Sequence, residues 1–191
     1  MNLADALTAS RLVLAPFFFL LYMFGQSIGI PGSALALVLW ILFILMELSD
    51  LLDGMAARAM KTVSAFGKLF DPFADVLERI TYFICFAWTG LMPLWILLII
   101  LYREFSILFL RMLLAEKGIA MGARPGGKTK AVTYMIAGVL SLVRWSIATL
   151  AWPEPVFLPG LVYGIYVLAV LLSIASFVDY LFQYCKLTAS R

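Results

Sequence analysis

Long apolar runs, separated by turn-forming residues, make up most of this chain. A helix needs about 20 apolar residues to cross the hydrocarbon core of a bilayer. The runs predict six membrane-spanning helices at Leu12–Gly29, Ser33–Leu52, Asp71–Gly90, Leu91–Leu114, Ala131–Trp152 and Phe157–Cys185. Gly and Pro residues separate the first run from the second, the third from the fourth and the fifth from the sixth. We therefore expect one six-helix transmembrane domain over residues 1–191, with residues 1–10 as a short interfacial segment.

The composition supports an all-α, polytopic membrane protein. Of the 191 residues, 64% are hydrophobic and 13% are charged, whereas a typical soluble domain has about 25% charged residues. These values exclude a soluble globular domain, a disordered chain and a disulfide scaffold. The chain has no His, which excludes a His general base or metal ligand. We expect membrane lipids around it and no nucleic-acid partner.

The basic residues fall on one side of the predicted bundle. The second-to-third and fourth-to-fifth connections and the C-terminus carry Arg58, Lys61, Lys68, Lys117, Arg124, Lys128, Lys130, Lys186 and Arg191. The opposite connections have no Lys or Arg, and Glu154 is their one charged residue. The positive-inside rule then predicts a multi-pass protein of the cell (inner, cytoplasmic) membrane with both termini in the cytoplasm.

Four aspartates gather around the second-to-third connection. Asp50 and Asp53 are three residues apart at the end of one span, and Asp71 and Asp75 are four apart at the start of the next. On helices these spacings put each pair on one face. Carboxylates in a span cost roughly 2.5–3.5 kcal/mol each at mid-bilayer, and four together repel unless a cation neutralises them. Hard oxygen ligands suit two divalent cations, Mg²⁺ or Mn²⁺.

A structural alternative for these aspartates stays open from the residues alone. They would then cap helices and pair with Arg58, Lys61 and Lys68. The same stretch also has features that favour a phosphate ligand. Gly54 leaves room for close approach of a ligand, Ala57 is small, and Arg58 can hold a diphosphate in a bidentate manner. Gly67 allows tight packing or a turn before the third span.

The aspartates and their neighbours form one ordered motif, Asp50-x2-Asp53-Gly54-x2-Ala57-Arg58-x8-Gly67-x3-Asp71-x3-Asp75. Eight fixed positions at about 5% usage each give a chance match on the order of 10⁻¹⁰ per start point. The motif resembles the signature of the CDP-alcohol phosphotransferases. That resemblance implies a six-span, usually homodimeric membrane enzyme. It also implies that a CDP-linked donor gives its phosphoryl-alcohol part to a hydroxyl acceptor and releases CMP.

The resemblance also implies roles for the motif residues. Asp50, Asp53 and Asp71 would be metal ligands, and Asp75 would be the general base that also touches a metal. The expected CDP-binding set is Asp50, Asp53, Gly54, Ala57, Arg58, Ser64 and Gly67. Since no Ser, Cys or His arrangement suggests a nucleophile, we expect direct in-line displacement without a covalent intermediate.

A second cluster of basic residues concerns the acceptor. Arg103 and Arg111 share a stripe on the fourth span, and Lys128 and Lys130 follow in the next connection. Together they predict a site for a phosphate dianion beside the metal site. The alternative is snorkelling to lipid headgroups together with ion pairs to acidic residues, for which the candidates are Glu78, Glu104 and Glu116.

Further residues resemble the phosphatidylglycerophosphate-forming branch of that family. They are Leu7-Thr8-x2-Arg11 with Pro16, Tyr102-Arg103-Glu104-Phe105, Leu110-Arg111, Gly127-Lys128-Thr129-Lys130 and Met135. The resemblance implies CDP-diacylglycerol as donor and sn-glycerol 3-phosphate as acceptor. One position departs from that branch, which has Lys directly after the last Asp where this chain has Val76.

Other functions stay open at this point. The acceptor alternatives are inositol phosphate, inositol, serine and a lipid alcohol. A cation transporter is a further alternative, although its carboxylates would more often lie near the bilayer midplane. Two roles stay open for Arg79, one helical turn after Asp75: it replaces the charge of the missing Lys, or it pairs with Asp75. The sequence assigns no role to Arg144 or Asp179.

Overall fold

The computed structural model describes residues 3–60, 67–119 and 125–189, and within these ranges the protein is helical with no strand. The six helices are α1 (Leu3–Phe24), α2 (Gly32–Met60), α3 (Gly67–Trp88), α4 (Leu94–Glu116), α5 (Pro125–Thr149) and α6 (Leu158–Ala189). The all-α fold class is therefore confirmed.

Three of these helices contain segments that are long and apolar enough to cross a membrane, at Gly32–Ser49, Gly126–Thr149 and Leu158–Thr188. A fourth apolar segment, Thr8–Phe24, is shorter. The remaining two helices, α3 and α4, carry charged residues among their apolar ones. The helices thus support a membrane protein, but their length and composition do not establish all six predicted spans.

The helix ends differ from those expected from hydrophobicity. α2 continues to Met60, so positions 50–58, expected at the end of a span and in the following connection, are helical. α5 begins at Pro125, six residues before the expected start, and Lys128 and Lys130 therefore lie on a helix and not in a loop. Proline is favoured at the first position of a helix because it has no N–H to lose there.

α1 is shorter at its far end than expected. It ends at Phe24, and the chain turns into α2 through Gly29, whose φ of 86° is disfavoured for residues with a side chain. At its near end α1 begins at Leu3, so residues 3–10 continue into the apolar run without a break. Whether these first turns lie at a membrane interface stays a prediction.

Aromatic side chains fill the centre of the bundle. The buried rings of Tyr82 and Phe83 on α3 meet at 4.8 Å, and Phe83 also contacts Tyr134 of α5 and Tyr166 of α6. At one end of the core, the ring of Tyr22 on α1 lies 5.0 Å from Trp145 of α5. These contacts join α1, α3, α5 and α6 around one apolar core.

Contacts along the helices give their directions. Arg11 and Tyr22 of α1 contact Asp71 and Phe86 of α3 in the same order, so α1 and α3 are parallel. The order is reversed between α5 and α6, where Tyr134 bonds Ser173 and Ser141 bonds Tyr166. We call the end at which α2, α4 and α6 finish and α3 and α5 begin the polar end of the bundle.

Candidate active site

A cavity of about 200 Å³ lies between α3, α4, α5 and α6 near the polar end. Five cationic residues line it, and they are Arg79, Arg103, Arg111, Lys128 and Lys130. Two carboxylates, those of Asp75 and Glu104, also line it. The described lining therefore has more positive than negative groups. The structure brings the four basic residues predicted for the acceptor together with the predicted base.

Two arginines of α4 reach the cavity from one face of the helix. Arg103, only 6% exposed, donates from Nη1 to Glu104 Oε2 and from Nη2 to Ser176 Oγ, both at 2.8 Å. Arg111 donates from Nη2 to the hydroxyl of Tyr180 at 3.0 Å. The Nε atoms of both arginines are buried and have no hydrogen-bond partner among the described residues. Unpaired donors of this kind favour an anionic ligand.

Glu104 neutralises part of this positive charge. Its Oε1 accepts from Lys130 Nζ at 2.6 Å, and its Oε2 accepts from Arg103. All three side chains are buried. The ion-pair alternative drawn from the sequence therefore holds for Arg103, yet Arg103 also lines the cavity.

The two carboxylates of α3 each face an arginine. Asp71 has half of its side chain exposed, and its Oδ1 accepts from Nη2 of the fully buried Arg11 at 2.6 Å. Asp75 lies 2.8 Å from Nη2 of Arg79, one helical turn further along α3. Arg11 Nε is also 4.0 Å from Glu78 Oε2. Asp71 and Asp75, the two predicted metal ligands on α3, thus each contact an arginine, from α1 and from α3 respectively.

The α2 half of the motif lies on the last turns of that helix. The side chains of the motif residues Asp50, Asp53, Gly54, Ala57 and Arg58 are outside the described part of the structure, as is that of Lys68. Lys61 and Ser64 lie wholly outside it, and Gly67 is the first residue of α3. Pairing of the aspartates with Arg58, Lys61 or Lys68 therefore stays a hypothesis. Among the described side chains, no three metal-ligating residues gather at one point.

One side-chain contact relates the level of α2 to that of α3. The hydroxyl of Tyr82 donates to Glu47 Oε1 at 3.3 Å, and the two helices run in opposite directions. With a rise of about 1.5 Å per residue, the positions that follow Glu47 on α2 lie level with those that precede Tyr82 on α3. From this contact we expect positions 50 and 53 near the level of Arg79 and Asp75.

The profile of the family described as CDP-alcohol phosphatidyltransferase matches residues 1–175 of this chain. The chain belongs to the CDP-alcohol phosphatidyltransferase family. The resemblance inferred from the aspartate motif is thereby confirmed, and the protein is an enzyme of this type.

The relatives of this phosphatidyltransferase include glycerol-3-phosphate phosphatidyltransferases and a cardiolipin synthase. It is 38% identical to the CDP-diacylglycerol–glycerol-3-phosphate 3-phosphatidyltransferase of Treponema pallidum, over 95% of this chain and 88% of the relative. A Bacillus subtilis protein of the same name is 34% identical over 71% of this chain and 74% of its own length. A cardiolipin synthase (CMP-forming) of Streptomyces coelicolor is 30% identical, over 62% of this chain and 54% of the relative.

A second, apolar space lies beside the cavity of the phosphatidyltransferase. This groove of about 500 Å³ runs between α2 and α5, and its apolar lining includes Phe43, Val132 and Met135. Glu47 and Arg79 also line it. Because Arg79 lines both spaces, the groove and the cavity are adjacent.

The sequence did not indicate three residues that shape this site. Arg11 appeared only within the motif Leu7-Thr8-x2-Arg11, with no role of its own, although a lone cation beside an apolar run is itself a signal of a buried partner. Ser176 and Tyr180 lie in the apolar last span, where neither position shows a distinguishing pattern. Their contacts with the two arginines of α4 become evident only from the packing of α6 against α4.

Proposed function

We propose that this phosphatidyltransferase moves the phosphatidyl group of CDP-diacylglycerol to sn-glycerol 3-phosphate, giving phosphatidylglycerophosphate and CMP. The observation that carries the proposal is the excess of cationic side chains in the cavity that also contains Asp75. The names of the Treponema pallidum and Bacillus subtilis relatives support the same pair of substrates.

The acceptor is chosen, in this proposal, by the charge of its phosphate. Arg103, Arg111, Lys128 and Lys130 receive the dianion, whose oxygens match the fork of donors on a guanidinium. Glu104 offsets part of the charge, and the cavity stays positive because five cationic residues face two carboxylates. Serine and free inositol carry no phosphate, so they cannot compensate the excess positive charge of the cavity.

Asp75 is placed to act as the general base. Its carboxylate takes the proton of the acceptor hydroxyl while that oxygen forms a bond to the donor's β-phosphorus. The bond from this phosphorus to the CMP oxygen breaks, and CMP leaves with the electron pair. The contact of Arg79 with Asp75 at 2.8 Å supports this role, because it fixes the orientation of the carboxylate. No covalent enzyme intermediate is needed.

The donor set fits divalent metal ions. Asp71 and Asp75 lie one turn apart on α3, and the register of α2 supports a meeting of this pair with Asp50 and Asp53. Four carboxylates with no soft ligand suit Mg²⁺ or Mn²⁺. Two such ions, when bound, would neutralise the charge of the diphosphate and of the leaving CMP. Gly54, Ala57, Arg58, Ser64 and Gly67 complete the proposed CDP site.

The membrane arrangement follows from the same proposal. The apolar groove beside Arg79 suits an acyl chain of the donor lipid, since it is adjacent to the cavity and has a volume of about 500 Å³. We infer that all six helices cross the cell membrane, with the polar end and both termini in the cytoplasm. The homodimer implied by the family resemblance stays a prediction.

An acceptor panel tests the proposal. Purified protein with CDP-diacylglycerol and Mg²⁺ or Mn²⁺ is offered glycerol 3-phosphate, inositol phosphate, inositol, serine and phosphatidylglycerol, and the lipid product is identified by its mass. We expect phosphatidylglycerophosphate from glycerol 3-phosphate. Product with serine alone, or with phosphatidylglycerol alone, would contradict selection of the acceptor by a phosphate dianion in the cavity.

A variant that lacks one cavity cation tests the acceptor site directly. Arg111→Gln removes a cation from the cavity and keeps a polar side chain. We expect its KM for glycerol 3-phosphate to rise at least about tenfold, as for loss of a charge-assisted hydrogen bond. Its KM for CDP-diacylglycerol should stay unchanged, because the proposed donor site involves other residues.

A further inference from the structure

Both arginines of α4 are held by one face of α6. Ser176 accepts a hydrogen bond from Arg103, and Tyr180, one helical turn later, accepts one from Arg111. The guanidinium carbon of Arg103 lies 5.9 Å from the centroid of the Tyr180 ring, and that of Arg111 lies 5.6 Å from it. One aromatic ring thus contacts both cations, within the distance at which cation–π attraction acts.

The position of Tyr180 makes these contacts stronger than they would be in water. The side chain is 2% exposed and lines the cavity. A buried ring attracts a cation more strongly than an exposed one, because less water competes for the charge. Two guanidinium groups repel each other, and their shared contact with the ring offsets part of that repulsion while no anion is bound.

The hydroxyl of Tyr180 adds direction to this attraction. It accepts from Arg111 Nη2, which fixes one edge of that guanidinium and leaves the other donors of the group to a ligand. In the part of the chain that the structure describes, the hydroxyl donates its own proton to no acceptor. That proton is available to a phosphate oxygen in the cavity.

We propose that Tyr180 is the positioning residue of the acceptor-phosphate site, holding Arg103 and Arg111 with their free donors directed at one anion. This inference rests on the proposed function, since it deepens the assignment of the cavity to a phosphorylated acceptor. It assigns α6 a role in recognising the acceptor. The aspartate motif and the basic residues of α4 and α5 lie on other helices.

Two substitutions distinguish the contribution of the Tyr180 hydroxyl from that of its ring. Tyr180→Phe keeps the ring and its packing but removes the hydrogen bond to Arg111, so KM for glycerol 3-phosphate should rise roughly fivefold. Tyr180→Leu also removes the ring, and we expect a rise of at least about twentyfold. In both variants kcat and the KM for CDP-diacylglycerol should change less than about twofold, because neither the base nor the donor site is altered.

Tyr166→Phe is the matched control. Tyr166 lies on the same helix, is buried, and bonds Ser141 at 2.7 Å, but it does not line the cavity. This variant loses a similar hydrogen bond and should keep the wild-type KM for the acceptor. An equal rise in Tyr166→Phe and Tyr180→Phe would overturn the proposal, as would an unchanged acceptor KM in both Tyr180 variants.

Binding of inorganic phosphate makes the test independent of turnover. Its Kd for the full-length protein, measured by calorimetry, should rise in Tyr180→Phe by the same factor as the KM and stay unchanged in Tyr166→Phe. If Tyr180→Phe weakens phosphate binding but the wild type turns over no phosphorylated acceptor, the proposed function fails while the role of Tyr180 in holding the anion stands. If the wild type uses glycerol 3-phosphate and Tyr180→Phe binds phosphate normally, only the role of Tyr180 fails.

Discussion

Arg11 of α1 donates from Nη2 to Asp71 Oδ1 of α3 at 2.6 Å, across 60 residues of sequence. The guanidinium is fully buried, whereas half of the Asp71 side chain is exposed. A buried cation therefore orients a carboxylate that faces outward at the polar end. In the proposed metal site, such a partner would fix the direction of Asp71, as residues behind the ligands do in other metal sites.

We expect Arg11→Lys to weaken metal binding. Lys keeps the charge but loses the planar fork, so Asp71 is held less rigidly. The Mg²⁺ or Mn²⁺ concentration for half-maximal activity should rise roughly tenfold. The shift of Tm on adding the metal, measured on detergent-solubilised protein, should shrink as well. Arg144→Lys, which alters a pair with Glu154, is the control and should change neither value.

Asp75→Asn should stop turnover without loss of donor binding. The amide cannot take the proton of the acceptor hydroxyl, so kcat should fall at least about 100-fold. Binding of CDP-diacylglycerol, measured by calorimetry, should be retained. Glu116→Gln removes an exposed carboxylate from the end of α4 and should be fully active. Near-normal kcat in Asp75→Asn would remove this residue from the role of base.

Glu104→Gln should destabilise the protein. The carboxylate compensates Arg103 and Lys130 in a buried setting, and the change leaves both cations without a negative partner. Loss of one member of a buried ion pair costs about 3–5 kcal/mol in free energy of unfolding. The measurement is the Tm of the solubilised protein, with Glu116→Gln expected within about 0.5 kcal/mol of wild type. Equal Tm values for the two variants would show that Glu104 is not needed for charge balance.

Gly138→Ala tests the contact of α5 with α2. A Cβ at this position would lie 2.8 Å from Cζ of the buried Phe43 ring, which packs against Tyr82. Overpacking of this kind costs about 1–3 kcal/mol. At Gly164 of α6 a Cβ would meet nothing within 4 Å, and Gly164→Ala should stabilise by about 0.5–1 kcal/mol. Thermal unfolding of the two variants should therefore shift in opposite directions.

Hydrophobicity located every helix but misplaced several ends. A run of apolar residues marks where a helix meets an apolar environment, while the helix itself ends where its backbone hydrogen bonds end. α2 continues through positions 50–58, and α5 already includes Lys128 and Lys130, which line the cavity.

Part of the site was predictable because it depends on spacing within a helix. The stripe of Arg103 and Arg111 was correctly placed on one side of α4, and both residues line the cavity. The contacts of Arg11 with Asp71 and of Arg111 with Tyr180 join residues 60 and 69 positions apart. Such pairs depend on how the helices pack against each other. The periodicity of apolar residues in a single sequence does not predict that packing.

The charges on α3 and α4 bear on how the chain enters its membrane. Neither helix is apolar enough to be counted as spanning by length and composition. Each carries an ion pair between nearby positions, Asp75–Arg79 on α3 and Arg103–Glu104 on α4. During biosynthesis these pairs would lower the cost of insertion only in part. We expect α3 and α4 to partition into lipid cooperatively, after α1, α2 and the later apolar helices offer them a protein surface.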